Sequence, residues 1–126
     1  MTDVRPRFAA GAAVTEAQRL LDHDAPEEAA VLLAGTTAAA TDDELEIWQG
    51  LTLLAEGLTQ TMRRDPAAIV SLQRGADLLD AHDGAPPHAL DVAGLTGWAR
   101  HLVAALGDPA APTFPDHPSV PRLRLP

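Results

Sequence analysis

Apolar residues along this chain recur every three or four positions and almost never alternate. That period belongs to a helix buried on one face, whereas a half-buried strand repeats every two residues. The clearest stretch is TDDELEIWQGLTLLAEGLTQTMRR, residues 41–64. Ile47, Leu51, Leu54, Leu58 and Met62 form its apolar stripe, with Trp48 and Ala55 beside them. Gln49, Thr52, Glu56, Thr59 and Arg63 form the opposite, polar stripe. The pattern predicts an amphipathic helix of roughly six turns. Thr41 and Glu44 have the spacing of a capping box, in which each side chain satisfies an orphan amide of the first turn. Asp42 and Asp43 add negative charge where the helix dipole favours it. Gly50 and Gly57 each lower helix propensity by about 1 kcal/mol, a cost that makes sense where a second helix crosses closely.

Four further helices follow from the same period. Val14, Ala17, Leu20 and Leu21 predict one around VTEAQRLLDHD. Asp24, with Pro26 and Glu27 behind it, opens a second through EEAAVLLAG that ends near Gly35. Asp65 caps DPAAIVSLQRGADLLDAH and Pro66 suits its first position, with Ile69, Leu72, Ala76 and Leu79 facing inward. Asp91 caps DVAGLTGWARHLVAAL, where Leu90 and Leu95 have the spacing of a hydrophobic staple; Leu95, Trp98, Leu102 and Leu106 face inward. The two adjacent prolines of GAPPHA break the chain between the last two helices. β-Branched and aromatic residues are too sparse for strands. The expected fold is all-α: a compact bundle of about five helices over residues 1–106, followed by a proline-rich extended tail, 107–126.

In that tail Pro109, Pro112, Pro115, Pro118 and Pro121 recur at every third position. A polyproline II helix has three residues per turn, so they would share one edge. Phe114, Val120, Leu123 and Leu125 supply apolar anchors, and Arg122 and Arg124 can pair with an acidic body. Three placements are open: packing on its own domain, solvated disorder, or docking in an aromatic-lined groove of a partner or second copy.

Charge narrows the function. The 126 residues suffice for one core, and the formal charge is −9. Between Arg19 and Arg63 no Lys or Arg occurs, while Asp22, Asp24, Glu27, Glu28, Glu46 and Glu56 are among the acids there. Nucleic-acid affinity rests on neutralising phosphates with Lys and Arg, so no nucleic-acid partner is expected. No stretch approaches membrane-spanning length, and no membrane partner is expected. The opening MTDVRPRFAAGAAV is too short and too rich in Ala and Gly for a signal peptide's apolar core, which points to a cytoplasmic protein. Cysteine is absent, excluding disulfides and thiolate chemistry. Lysine, asparagine and tyrosine are absent too, a bias of the kind a GC-rich genome produces.

The segment IWQGLTLLAEGLTQTMRRDPAAIVSLQRGADLLD, followed by LDVAGL, resembles the small bacterial and archaeal helical proteins of domain of unknown function 309. That family has a helix of the form W/Y-Q-G-L-I-Q-L-A, a short turn, a helix rich in Ala, Leu and Arg, and then G-I-D. Trp48, Gln49, Gly50, Leu51, Leu54, Ala55, Leu58 and Arg63 match the first part, and Asp91 and Val92 the last. The likeness covers roughly residues 12–106 and implies a compact helical bundle of unassigned role. In the family's second helix a motif E-A-H-E-V-L-E carries a histidine and acids suited to metal or proton chemistry. Here Glu28 and Ala29 fit, but the histidine falls on Ala30, the following acids on Val31 and Ala34, and a nearby tryptophan on Thr37. On the long helix a glutamine becomes Leu53 and a histidine becomes Gln60. Activity depending on that set is expected to be lost.

The remaining candidates are few. His23 and His82 lie near helix ends, where a cation is favoured; His88 and His117 are expected in solvent and His101 on an outer helix face. No histidine pair has the spacing of a helical zinc site, so no metal and no cofactor are expected. Ser71 and Ser119 lack a nucleophile elbow, and no catalytic residue is assigned. Glu28, Glu56 and Gln60 remain as a ligand-binding set bordering a residual pocket. Two functions follow. The first is a non-catalytic helical module, not an enzyme, acting through a protein partner or as a homo-oligomer; the other is a small-molecule or residual enzymatic pocket at those three residues.

Overall fold

A computed structural model describes residues 10–125. Among these residues are five α-helices and no strand: α1 (Ala10–Asp22), α2 (Pro26–Ala38), α3 (Leu45–Met62), α4 (Ala67–Asp80) and α5 (Val92–Leu106). A short 3-10 turn at Pro87–Ala89 precedes α5. The protein is an all-α compact bundle. Helices that pack on one another are neighbours in chain order, α1 on α2, α2 on α3, α3 on α4 and α4 on α5. The long helix α3 is central, and Ile47, Trp48, Leu51, Leu54, Ala55 and Leu58 are buried along it. Arg5 and Arg7, which bear on the reading of the N-terminal segment, lie outside the described residues.

The glycines of α3 stand where α4 crosses. A Cβ on Gly50 would lie 3.0 Å from the Gly75 carbonyl oxygen, and one on Gly57 would lie 2.6 Å from Cγ of Leu72. A Cβ on Gly75, across the same crossing, would lie 3.0 Å from the Gly50 carbonyl oxygen. Only residues without a side chain let the two backbones come this close. Buried Thr61 and Thr96 satisfy their hydroxyls on the carbonyls of Gly57 and Val92 one turn earlier, so neither costs an unmade hydrogen bond.

Helix ends show where local signals prevail and where they do not. Asp91 caps α5, accepting from the Gly94 amide at 3.0 Å, and Leu90 and Leu95 are both buried beneath it. Asp65 accepts from the Ala67 amide at 2.9 Å. The capping box at Thr41 and Glu44 does not form. Residues 42–44 make a turn, α3 begins at Leu45 and spans about five turns rather than six. The Glu44 carboxylate is drawn away by the Trp48 indole, which donates to it at 3.1 Å. Asp24 does not cap α2 either: it is left-handed at φ 58°, and Ala25 precedes the helix instead. α2 continues past Gly35 to Ala38, where Thr36 and Thr37 bond back to Leu32 and Leu33 carbonyls. Met62, expected inside, is exposed because it occupies the last turn of α3. Trp98 is half-buried, its indole donating to the Ser119 carbonyl at 3.0 Å.

That bond belongs to a strap formed by residues 107–125. Leu123 is buried, and Phe114 and Val120 pack partly buried against the core. Gln18 of α1 holds the strap on both sides, donating to the Pro121 carbonyl at 3.1 Å and accepting from the Leu123 amide at 2.8 Å. On the other side the Asp91 amide donates to the Leu123 carbonyl at 2.8 Å, and the Leu125 amide to Ala89 at 2.9 Å. Arg124 reaches the Thr15 hydroxyl at 2.6 Å and the Gly11 carbonyl at 2.5 Å, while Arg122 pairs with Asp22 at 3.3 Å. The strap thus ties the first helix to the start of the last.

Candidate functional site

The helix α2, PEEAAVLLAGTTA, is unusual in having almost no polar face. Pro26, Ala29, Ala30, Leu33 and Thr36 are buried against the bundle. Beyond Glu28, the outward side shows Val31, Ala34, Gly35 and Ala38. Val31 is 71% exposed. A helix apolar all round belongs in an interior, yet this one has its outer side in solvent.

Beside it runs α3, antiparallel, and the two helices enclose a groove. One hollow of about 300 Å³ is lined by Ala30, Val31 and Ala34 on α2 and by Glu56, Thr59 and Gln60 on α3. It continues past Glu27 and Arg63 into a second of about 330 Å³, bordered by Asp24, Glu28 and Met62. Glu27 and Arg63 form an ion pair across the boundary, with side chains 66% and 62% exposed. Such a pair contributes little to stability and opens readily. At the other end Thr37 and Thr52 hydroxyls meet at 3.2 Å.

Of the three site residues expected from sequence, Glu56 and Gln60 therefore line one hollow, while Glu28 borders the adjoining one. The helical rotation of α2 turns Glu27, not Glu28, toward Glu56. Gln60 is also tied to α4, its side-chain oxygen accepting from the Ser71 hydroxyl at 2.6 Å. Thr59 spends its hydroxyl on the Ala55 carbonyl at 2.9 Å. No buried side-chain polar atom among the described residues lacks a partner. Nor do three His, Asp or Glu side chains converge there as a metal site would require. The carboxyl groups held below their ordinary range lie elsewhere, Glu16 by the hydrogen bond from Arg19 and Asp43 by that from Thr41.

Sequence reasoning missed one cluster. His88 is exposed, as expected, and it also lays its ring against Trp48 with centroids 5.8 Å apart. Its Nε2 lies 3.3 Å from Glu44 Oε1, the oxygen that also takes the Trp48 indole. His88 and Ala89 are both left-handed, at φ 56° and 57°, a conformation that costs side-chain-bearing residues roughly 1–2 kcal/mol each. The strap's bonds to Ala89 and to the His88 carbonyl hold them there. The tail's partners, and hence this loop's shape, had no local sequence signal.

No helix among the described residues is long and apolar enough to cross a membrane. No family model, no curated protein and no solved structure matches the chain.

Proposed function

We infer that the protein is a non-catalytic helical module that works by binding another protein chain through the α2–α3 face. The observation that carries this reading is the exposed apolar side of α2, with Val31 at its centre. Burial of that side would stabilise a complex by about 25 cal/mol per Å² of apolar surface, less the cost of association. The alkyl groups at Ala30, Val31 and Ala34 offer contact and no proton or metal chemistry. The reading places the chain as a divergent relative of domain of unknown function 309, of bacterial type and cytoplasmic, keeping the family's framework without its reactive side chains. A homodimer is one form such association can take. A small-molecule pocket at Glu28, Glu56 and Gln60 is the second reading, favoured by the hollow that Glu56 and Gln60 share.

Affinity purification of the tagged wild type, Val31→Asp and Gln60→Ala separates the two. A bound protein should stay with wild type and Gln60→Ala and be lost from Val31→Asp. A bound metabolite that disappears from Gln60→Ala, with the oligomeric state unchanged, would instead establish the pocket.

A further inference from the structure

The groove's rim is acidic. Asp24, Glu27, Glu28 and Glu56 border it, and Arg63, already paired with Glu27, is the one cation among the described residues that line it. A two-fold pairing of this chain through the same face would set one predominantly acidic rim against another. Like charges across an interface oppose association. The charge that complements the groove's rim is therefore basic.

Its shape selects among the ways proteins receive a peptide segment. Strand addition needs an open sheet edge, and no strand occurs among the described residues. A polyproline ligand needs aromatic walls, and none of the described residues that line the groove is aromatic. What is present is a trough between antiparallel helices with small and branched apolar walls. From Pro26 to Ala34 it runs roughly 12 Å at the helical rise of about 1.5 Å per residue. Anchors at i, i+3 or i+4, and i+7 of a helix cover the same length.

From the geometry we propose that the α2–α3 groove seats an amphipathic helix of another protein whose apolar stripe is flanked by Lys or Arg. The stripe lies on Ala30, Val31 and Ala34, and a flanking cation displaces Arg63 from Glu27. This rests on the association reading above and adds the partner's chemistry.

Two synthetic helical peptides test it, sharing one leucine stripe at i, i+3, i+4 and i+7, one flanked by lysines and the other by glutamates. Fluorescence anisotropy against the intact protein should give at least about tenfold tighter binding of the lysine peptide at low salt, narrowing as salt rises. Val31→Ser should weaken it, and the triple variant Glu27→Gln, Glu28→Gln, Glu56→Gln should remove most of the preference and its salt dependence. All four positions are exposed, and circular dichroism checks that the variants stay folded. Equal binding of the two peptides, or a preference unmoved by the triple variant, overturns the basic-helix inference. So does a sedimenting wild-type dimer that Val31→Ser dissolves, though it leaves association through this face standing. If neither peptide binds and no self-association depends on Val31, both readings fail together.

Discussion

Gly57→Ala is the sharpest probe of the helix crossing at the centre of this fold. The new methyl would meet Leu72 Cγ at 2.6 Å and Cδ2 at 2.7 Å. Ordinary carbon contacts lie at about 3.5–4.0 Å, so the intrusion is roughly 1 Å. Leu72 is fully buried and can yield only by leaving its rotamer or by parting α3 from α4. Overpacking of this kind costs about 1–3 kcal/mol. Replacing glycine within a helix returns about 1 kcal/mol of propensity, which leaves a net loss of about 0–2 kcal/mol. Gly97→Ala is the control: nothing lies within 4 Å of its added Cβ, so it should gain up to about 1 kcal/mol. Urea titrations followed by circular dichroism read both. Leu72→Ala alone should cost about 2–5 kcal/mol, and less in the Gly57→Ala background because the clash is gone. Gly57→Ala that stabilises as Gly97→Ala does would refute the close crossing.

Truncation after Gly107 should lower the melting temperature, since burying a leucine such as Leu123 is worth about 1.5–3 kcal/mol before any strap hydrogen bond is counted. An unchanged melting curve would mean that the strap holds nothing. Asp91→Ala should cost about 1 kcal/mol in denaturant titrations through loss of its cap, whereas Thr41→Ala should stay within about 0.5 kcal/mol, having no cap to lose. Glu16, half-buried on α1, titrates below the ordinary glutamate range because Arg19 bonds to its ionised form. The sign follows from the depressed folded value: its small stabilisation is in place above the unfolded pKa and is lost as pH falls through the folded one. In an NMR titration Arg19→Gln should return Glu16 to the ordinary range, and added salt should move it the same way.

Much of the fold was legible because its determinants are local. Asp91 sits three residues from the amide it caps, and the period of Leu51, Leu54 and Leu58 fixes which side of α3 turns inward. Gly50 and Gly57 announced a close neighbour without saying which, and α4 supplies it through Gly75 and Leu72. What failed was decided by competing side-chain contacts, several of them tertiary. Thr41 and Glu44 have the right spacing for a box, but Trp48, one turn along the same helix, and His88, from the loop before α5, claim the Glu44 carboxylate. His88 in a proline-rich loop gave no hint of an indole beneath it. At the candidate site Glu56 and Gln60 lie one turn apart on α3 and had to share a face. Whether Glu27 or Glu28 joins them depends on how α2 is rotated, and a helix so evenly apolar does not reveal its own rotation. The strap's register on Gln18 depends on partners more than a hundred positions away.

That long reach has a kinetic consequence. Each helix docks on its predecessor, so the bundle can zip up in the order in which it is synthesised, through contacts of short sequence separation that form fast. Arg124 and Gly11, 113 positions apart, can meet only after the helices between them have assembled. The strap should then act as a latch dropped late: its loss leaves the refolding rate nearly untouched and accelerates unfolding, as expected for contacts absent from the transition state. A protein closed in this manner owes its lifetime in the folded state, more than its speed in reaching it, to the strap.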